Sequence, residues 1–75
     1  MEIKYLMTPE QLKKTRQFLG FTQKALAEKL GLESGAVYML EKGKKKPSAL
    51  LVKCLNLLVE LKKLLVELEK TGIIP

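Results

Sequence analysis

The residues with the most evident chemistry are lysines. Lys42, Lys44, Lys45 and Lys46 surround Gly43 and run into Pro47, four ammonium groups in five positions. Positive charge this dense attracts a polyanion, and the attraction weakens steeply with salt because counterions are released on binding. The plainer reading of the same run is a solvated linker. The charge distribution favours the first. Residues 1–47 carry ten basic and five acidic side chains, a balance of +5, and residues 48–75 carry four and three, a balance of +1. The surplus therefore sits in one half of the chain, as a polyanion-binding surface requires.

Other chemistry is poorly supplied. The chain has no His, no Asp and one cysteine, Cys54. No internal disulfide can form, and neither zinc nor any other metal site is expected. There is no Gly-rich phosphate loop, and 75 residues leave little chain for a catalytic pocket. The expectation is a protein that is not an enzyme and carries no cofactor. The same length sets a single domain over 1–75 with a marginal core. Apolar residues make up 47% of the chain, a share that suits a surface buried against a second subunit. The N-terminus lacks the basic and apolar regions of a signal peptide. Lys53, Glu60, Lys62 and Lys63 interrupt the only long apolar segment, so no membrane partner is expected and a cytoplasmic location is.

The elements that must position these lysines lie just before them, in Thr22 to Gly43. Thr22 is a good N-cap. Ala25, Leu26, Ala27 and Leu30 have helical spacing, and Gly31 follows as the residue best able to end a helix. After a Gly31-Leu32-Glu33 turn, Val37 and Leu40 lie three apart on one face of a second short helix over about Ser34 to Lys42. Two short helices joined by a tight Gly-containing turn form a helix-turn-helix, whose second helix can enter the DNA major groove. Upstream, Thr8, Pro9, Glu10 and Gln11 form a helix start with a Thr-x-x-Gln capping box. Met7 and Leu12 are placed to staple it. That first helix runs to about Leu19, with Leu12, Thr15 and Leu19 inward.

The stretch from Arg16 to Gly31, RQFLGFTQKALAEKLG, followed by Val37, Leu40-Glu41-Lys42-Gly43 and Pro47, resembles the phage repressor and Cro-like (Xre) helix-turn-helix family. The resemblance covers about Met7 to Leu55. It implies binding to double-stranded DNA. It also implies a cation–acid pair between Arg16 and Glu41, tying helix 1 to the end of the recognition helix. Gln23 takes the place of the glutamine that touches a phosphate, with Lys24 beside it. Base-reading positions fall on Ser34, Gly35, Tyr38 and Met39, with Ala36 near them. This set has no Asn, Gln or Arg for bidentate base pairing. Ser34 can donate or accept, Tyr38 can reach a phosphate or a base edge, and Met39 or Ala36 can touch a thymine methyl. Gly35 inside a helix would cost about 1 kcal/mol against Ala. The implied readout leans on backbone contacts and DNA shape. Lys42, Lys44, Lys45 and Lys46 would face the DNA backbone.

Ser48 caps a segment, Ala49 to about Lys70, without Gly or Pro. The family more often breaks this region into shorter helices with a Gly-containing turn; that turn is absent here, so one continuous helix is the expectation. Leu50, Cys54, Leu57, Leu61, Leu64 and Leu68 are spaced 4, 3, 4, 3, 4, a heptad seam. Leu51, Leu55, Leu58 and Leu65 form a second stripe, and Val52, Val59 and Val66 a third. A helix this apolar needs cover on two sides. Helices 1 to 3 supply one, and the same helix of a second copy the other. Leu50, Cys54, Leu57, Leu58, Leu61, Leu64, Leu65 and Leu68 are the expected dimer interface. The fold expected is therefore all-α: a repressor-like domain of three short helices plus a long C-terminal dimerisation helix (48–71). Residues 1–7 read as a strand, an arm or a packed segment, packing being favoured, and the 72–75 tail is undecided.

The leading functional expectation is a homodimeric, sequence-specific regulator, a repressor of a palindromic operator. No small-molecule sensor domain is expected. The alternative is an antitoxin, which would also bind a toxin, or an interaction module using the same fold.

Overall fold

The computed structural model describes residues 7–72. Expectations for residues 1–6 and 73–75 lie outside the described residues. The described chain is helical, with no strand: α1 (Pro9–Leu19), α2 (Gln23–Leu30), α3 (Ala36–Glu41) and α4 (Ala49–Thr71).

Local chemistry sets most of the boundaries. At the start of α1 both arms of the capping box close. The Gln11 N–H donates to Thr8 Oγ1 at 3.1 Å, and the Thr8 N–H donates to Gln11 Oε1 at 2.9 Å. Thr22 Oγ1 accepts from the Ala25 N–H at 3.0 Å and opens α2. At its other end Gly31 is left-handed (φ 72°), and the Leu32 N–H reaches back to the Ala27 carbonyl at 2.8 Å. That six-to-one bond stops the helix and turns Leu32 onto the core. Ser48 Oγ accepts from the Leu51 N–H at 3.1 Å and starts α4, which runs unbroken for 23 residues, about 34 Å.

Both ends of α3 differ from expectation. α3 is six residues long, and it excludes both Ser34 and Gly35 at its start and Lys42 at its end. Gly35 is the N-cap, left-handed at φ 88°, with no side-chain cap. The chain enters α3 through a turn in which the Ala36 N–H donates to the Glu33 carbonyl at 3.0 Å. Gly35 is therefore not a helix-weakening residue, as its sequence position suggests. It supplies a backbone conformation that costs an L-residue about 1–2 kcal/mol.

Leu12, Leu26, Ala27, Val37, Leu40 and Leu55 form the buried cluster, one or more from each helix. α1 packs on both α3 and α4, and α2 on α3. α4 thus meets the domain mainly through α1. Val52 and Leu55 are buried on that side, and Val59 is half-buried. Lys62 locks the far end of α1: its Nζ donates to the Phe18 carbonyl at 2.6 Å and lies 5.1 Å from the Phe18 ring centroid.

Candidate nucleic-acid interface

The core grips α3 by Val37 and Leu40, both buried, so the residues between them must face outward. Tyr38 and Met39 are exposed there, and Ala36 is half-buried. Ser34 and Gly35 are exposed in the turn before the helix. Tyr38 and Lys42, one turn apart, touch: the Lys42 Nζ lies 5.6 Å from the Tyr38 ring centroid. Lysine and aromatic therefore present one joint surface.

A charged cluster fixes the angle of α3. Arg16 Nε donates to Glu41 Oε2 at 2.6 Å, and Arg16 Nη2 donates to Glu41 Oε1 at 3.2 Å. Arg16 Nη1 donates to the Phe21 carbonyl at 2.9 Å. Gln23 Nε2 donates to Glu41 Oε1 at 2.9 Å. One carboxylate therefore joins α1, α2 and the end of α3. The Arg16 and Glu41 side chains keep 12% and 6% of their exposure. Burial opposes ionisation of Glu41 and is the largest single influence on it. The hydrogen bonds from Arg16 and Gln23, with the attraction of Arg16 and Lys13, together outweigh it and hold the carboxyl below its ordinary value of 4.5.

The Gln23 bond is the member of this cluster that sequence reasoning missed. The resemblance points Gln23 at a phosphate, and the structure commits one of its amide N–H groups to Glu41. Its second N–H is left for an outward partner. Gln23 opens α2, and its side chain meets the last residue of α3. No spacing rule brings residues 18 apart together.

The lysines divide into two groups. Lys24 is exposed at the start of α2. Lys44 follows α3 directly, its N–H donating to the Met39 carbonyl at 3.0 Å. Lys45 and Lys46 lean toward the start of α1, where they line an open cavity of 380 Å³ with Met7, Thr8, Pro9, Gln11, Gly43 and Pro47. No group of His, Cys, Asp or Glu able to hold a metal ion occurs among the described residues. No described helix is long and apolar enough to cross a membrane.

A short helix clamped by its neighbours, with its outer face exposed and a basic loop following it, defines a helix-turn-helix DNA-binding domain. A family model described as helix-turn-helix matches residues 12–54, more than half of the chain, covering α1 through the first turns of α4. The chain belongs to that family, in its Cro/Xre-like branch, and is a DNA-binding transcription regulator. Comparisons with curated proteins and with solved structures gave no match.

Proposed function

We propose that the protein is a homodimeric repressor that occupies a palindromic operator, each copy placing α3 in the major groove. The clamp on α3 carries the reading. A six-residue helix has little stability of its own. Fixing it by Arg16, Glu41 and Gln23 suits an element whose angle against DNA matters. Tyr38, Met39 and Ala36 meet base edges, with Ser34 and the Gly35 backbone close to them. Lys24, Lys42, Lys44, Lys45 and Lys46 meet phosphates, as does the second amide N–H of Gln23. Such contacts set register and affinity, and base contacts set sequence preference. The exposed leucines of α4 supply the second copy, and a two-fold dimer places two recognition helices about one DNA turn apart. Blocking a promoter by occupancy needs nothing more, and the work is done in the cytoplasm, on DNA.

Selection from a pool of random duplex DNA at two salt concentrations tests this, together with the mass of the free protein. A dimer that enriches a palindrome, with affinity falling steeply in salt, is the expected result. A dimer that enriches no sequence would transfer the reading to protein recognition. A monomer that binds half-sites would remove the homodimer.

A further inference from the structure

We propose that α4 pairs with α4 of a second copy in antiparallel orientation, about a two-fold axis near Val59. The seam is Leu50, Cys54, Leu57, Leu61, Leu64 and Leu68. This rests on the homodimer reading above and adds orientation and register to it.

The domain uses one side of α4, through Leu51, Val52, Leu55, Val59 and Lys62. The seam lies on another. Leu50 is 72% exposed, Leu57 57%, Leu61 53% and Leu64 61%. Past Lys62, Leu64, Leu65 and Val66 are exposed and Leu68 is half-buried, and the last turns of α4 project beyond α1. That overhang, Lys62 to Thr71, is about 14 Å long. The two ends of the seam therefore differ: one is backed by the domain and the other is bare.

An antiparallel pair lays the backed end of one helix on the bare end of the other. Leu50 then meets the partner's Leu68, Cys54 meets the partner's Leu64, and Leu57 meets the partner's Leu61. All six seam positions are matched in one register. On one edge the outer part of Leu51, which is half-buried on its own domain's core, meets the partner's exposed Leu65, and the half-buried Leu58 meets its own copy at the axis. On the other edge stand Lys53, Glu60 and Glu67. Antiparallel packing brings Lys53 beside the partner's Glu67, twice by symmetry. Glu60 meets its copy at the axis, with Lys63 one turn on to offset it. A parallel pair forgoes this match. Lys53 would lie against the partner's Leu58 and Glu60 against the partner's Leu65, since edge residues of parallel coils meet across that offset. The two bare ends would have only each other.

Cys54 is a built-in ruler. In the antiparallel pair the two Cys54 residues are about 15 Å apart along the axis, far beyond the ~7 Å Cα separation a disulfide spans. In the parallel pair they are in register. Wild-type protein and Leu64→Cys are oxidised mildly, cross-linked peptides are mapped by mass, and the mass of the reduced wild type is measured in solution. The expected result is a wild-type dimer with no disulfide, and a Leu64→Cys dimer linked from Cys54 to the introduced cysteine. Lys53→Glu should weaken the dimer roughly tenfold, and adding Glu67→Lys should restore it. A wild-type disulfide between the two Cys54 residues would overturn the orientation and leave the homodimer standing. So would a stable dimer in which neither protein cross-links. A monomeric wild type would overturn the homodimer itself.

Discussion

Replacing Arg16 by Met probes the clamp directly. The side chain is 12% exposed, and the carboxylate it serves is 6% exposed. Removing the guanidinium strips Glu41 of two donors and leaves only Gln23. Breaking a buried ion pair from one side costs about 3–5 kcal/mol, because the surviving charge stays in a poor solvent. The remaining Gln23 bond puts Arg16→Met at the lower end, about 3 kcal/mol. A domain of this size has about 4–11 kcal/mol in all. The change would lower the melting temperature by about 12–24 °C. Replacing both partners, Arg16→Met with Glu41→Leu, removes the buried charge as well as its counterion. It should cost about 1 kcal/mol or less. Urea unfolding followed by circular dichroism reads all the variants, at one fixed protein concentration because dimerisation adds to apparent stability. An Arg16→Met variant within about 0.5 kcal/mol of wild type would refute the reasoning. So would a double variant destabilised as much as the two single changes together.

Acid should act through the same carboxylate. Glu41 is held below its ordinary value of 4.5, so its contribution is present above that value and is lost as the pH falls through the lower folded value. Wild type should therefore lose its advantage over Glu41→Gln as the pH drops below 4.5, measured by urea midpoints across that range. Gly35→Ala should destabilise by about 1–2 kcal/mol in thermal unfolding, because φ is 88° although no heavy atom lies within 4 Å of the new methyl. A stabilising Gly35→Ala would mean that Gly35 lies inside the helix after all. Lys44→Ala, Lys45→Ala and Lys46→Ala combined should reduce the slope of log affinity against log salt by about 0.9 for each phosphate no longer neutralised, read by fluorescence anisotropy. Tyr38→Ala should change which sequences a DNA selection enriches, whereas Lys24→Ala should weaken binding to all of them alike.

Much of this architecture is written in local signals. Thr8, Thr22 and Ser48 stand before helices and accept the N–H three residues on. Gly20, Gly31 and Gly72 end them. These are contacts between near neighbours, so residue type and spacing suffice to read them. The absence of Gly and Pro between Ala49 and Thr71 likewise announces one long helix. The start of α3 escapes such reading for the complementary reason. Ser34 is a good helix-capping type, and only the turn that the surrounding packing imposes puts Gly35 at φ 88° and makes it the cap.

The four helices, the helix-turn-helix family and the basic loop are legible in the bare chain, because each rests on short-range spacing or on composition. Three features belong to the packed molecule alone. Gln23 comes to Glu41 across 18 residues, a separation no periodicity encodes. Lys45 and Lys46 are drawn toward the start of α1 while Lys44 stays with α3. Packing also chooses among the three apolar stripes of α4, all of them hydrophobic enough to be core. It turns inward the early members of two of them, Leu51 and Leu55 from one and Val52 and Val59 from another, and leaves Leu50, Leu57, Leu61 and Leu64 of the leucine seam facing outward.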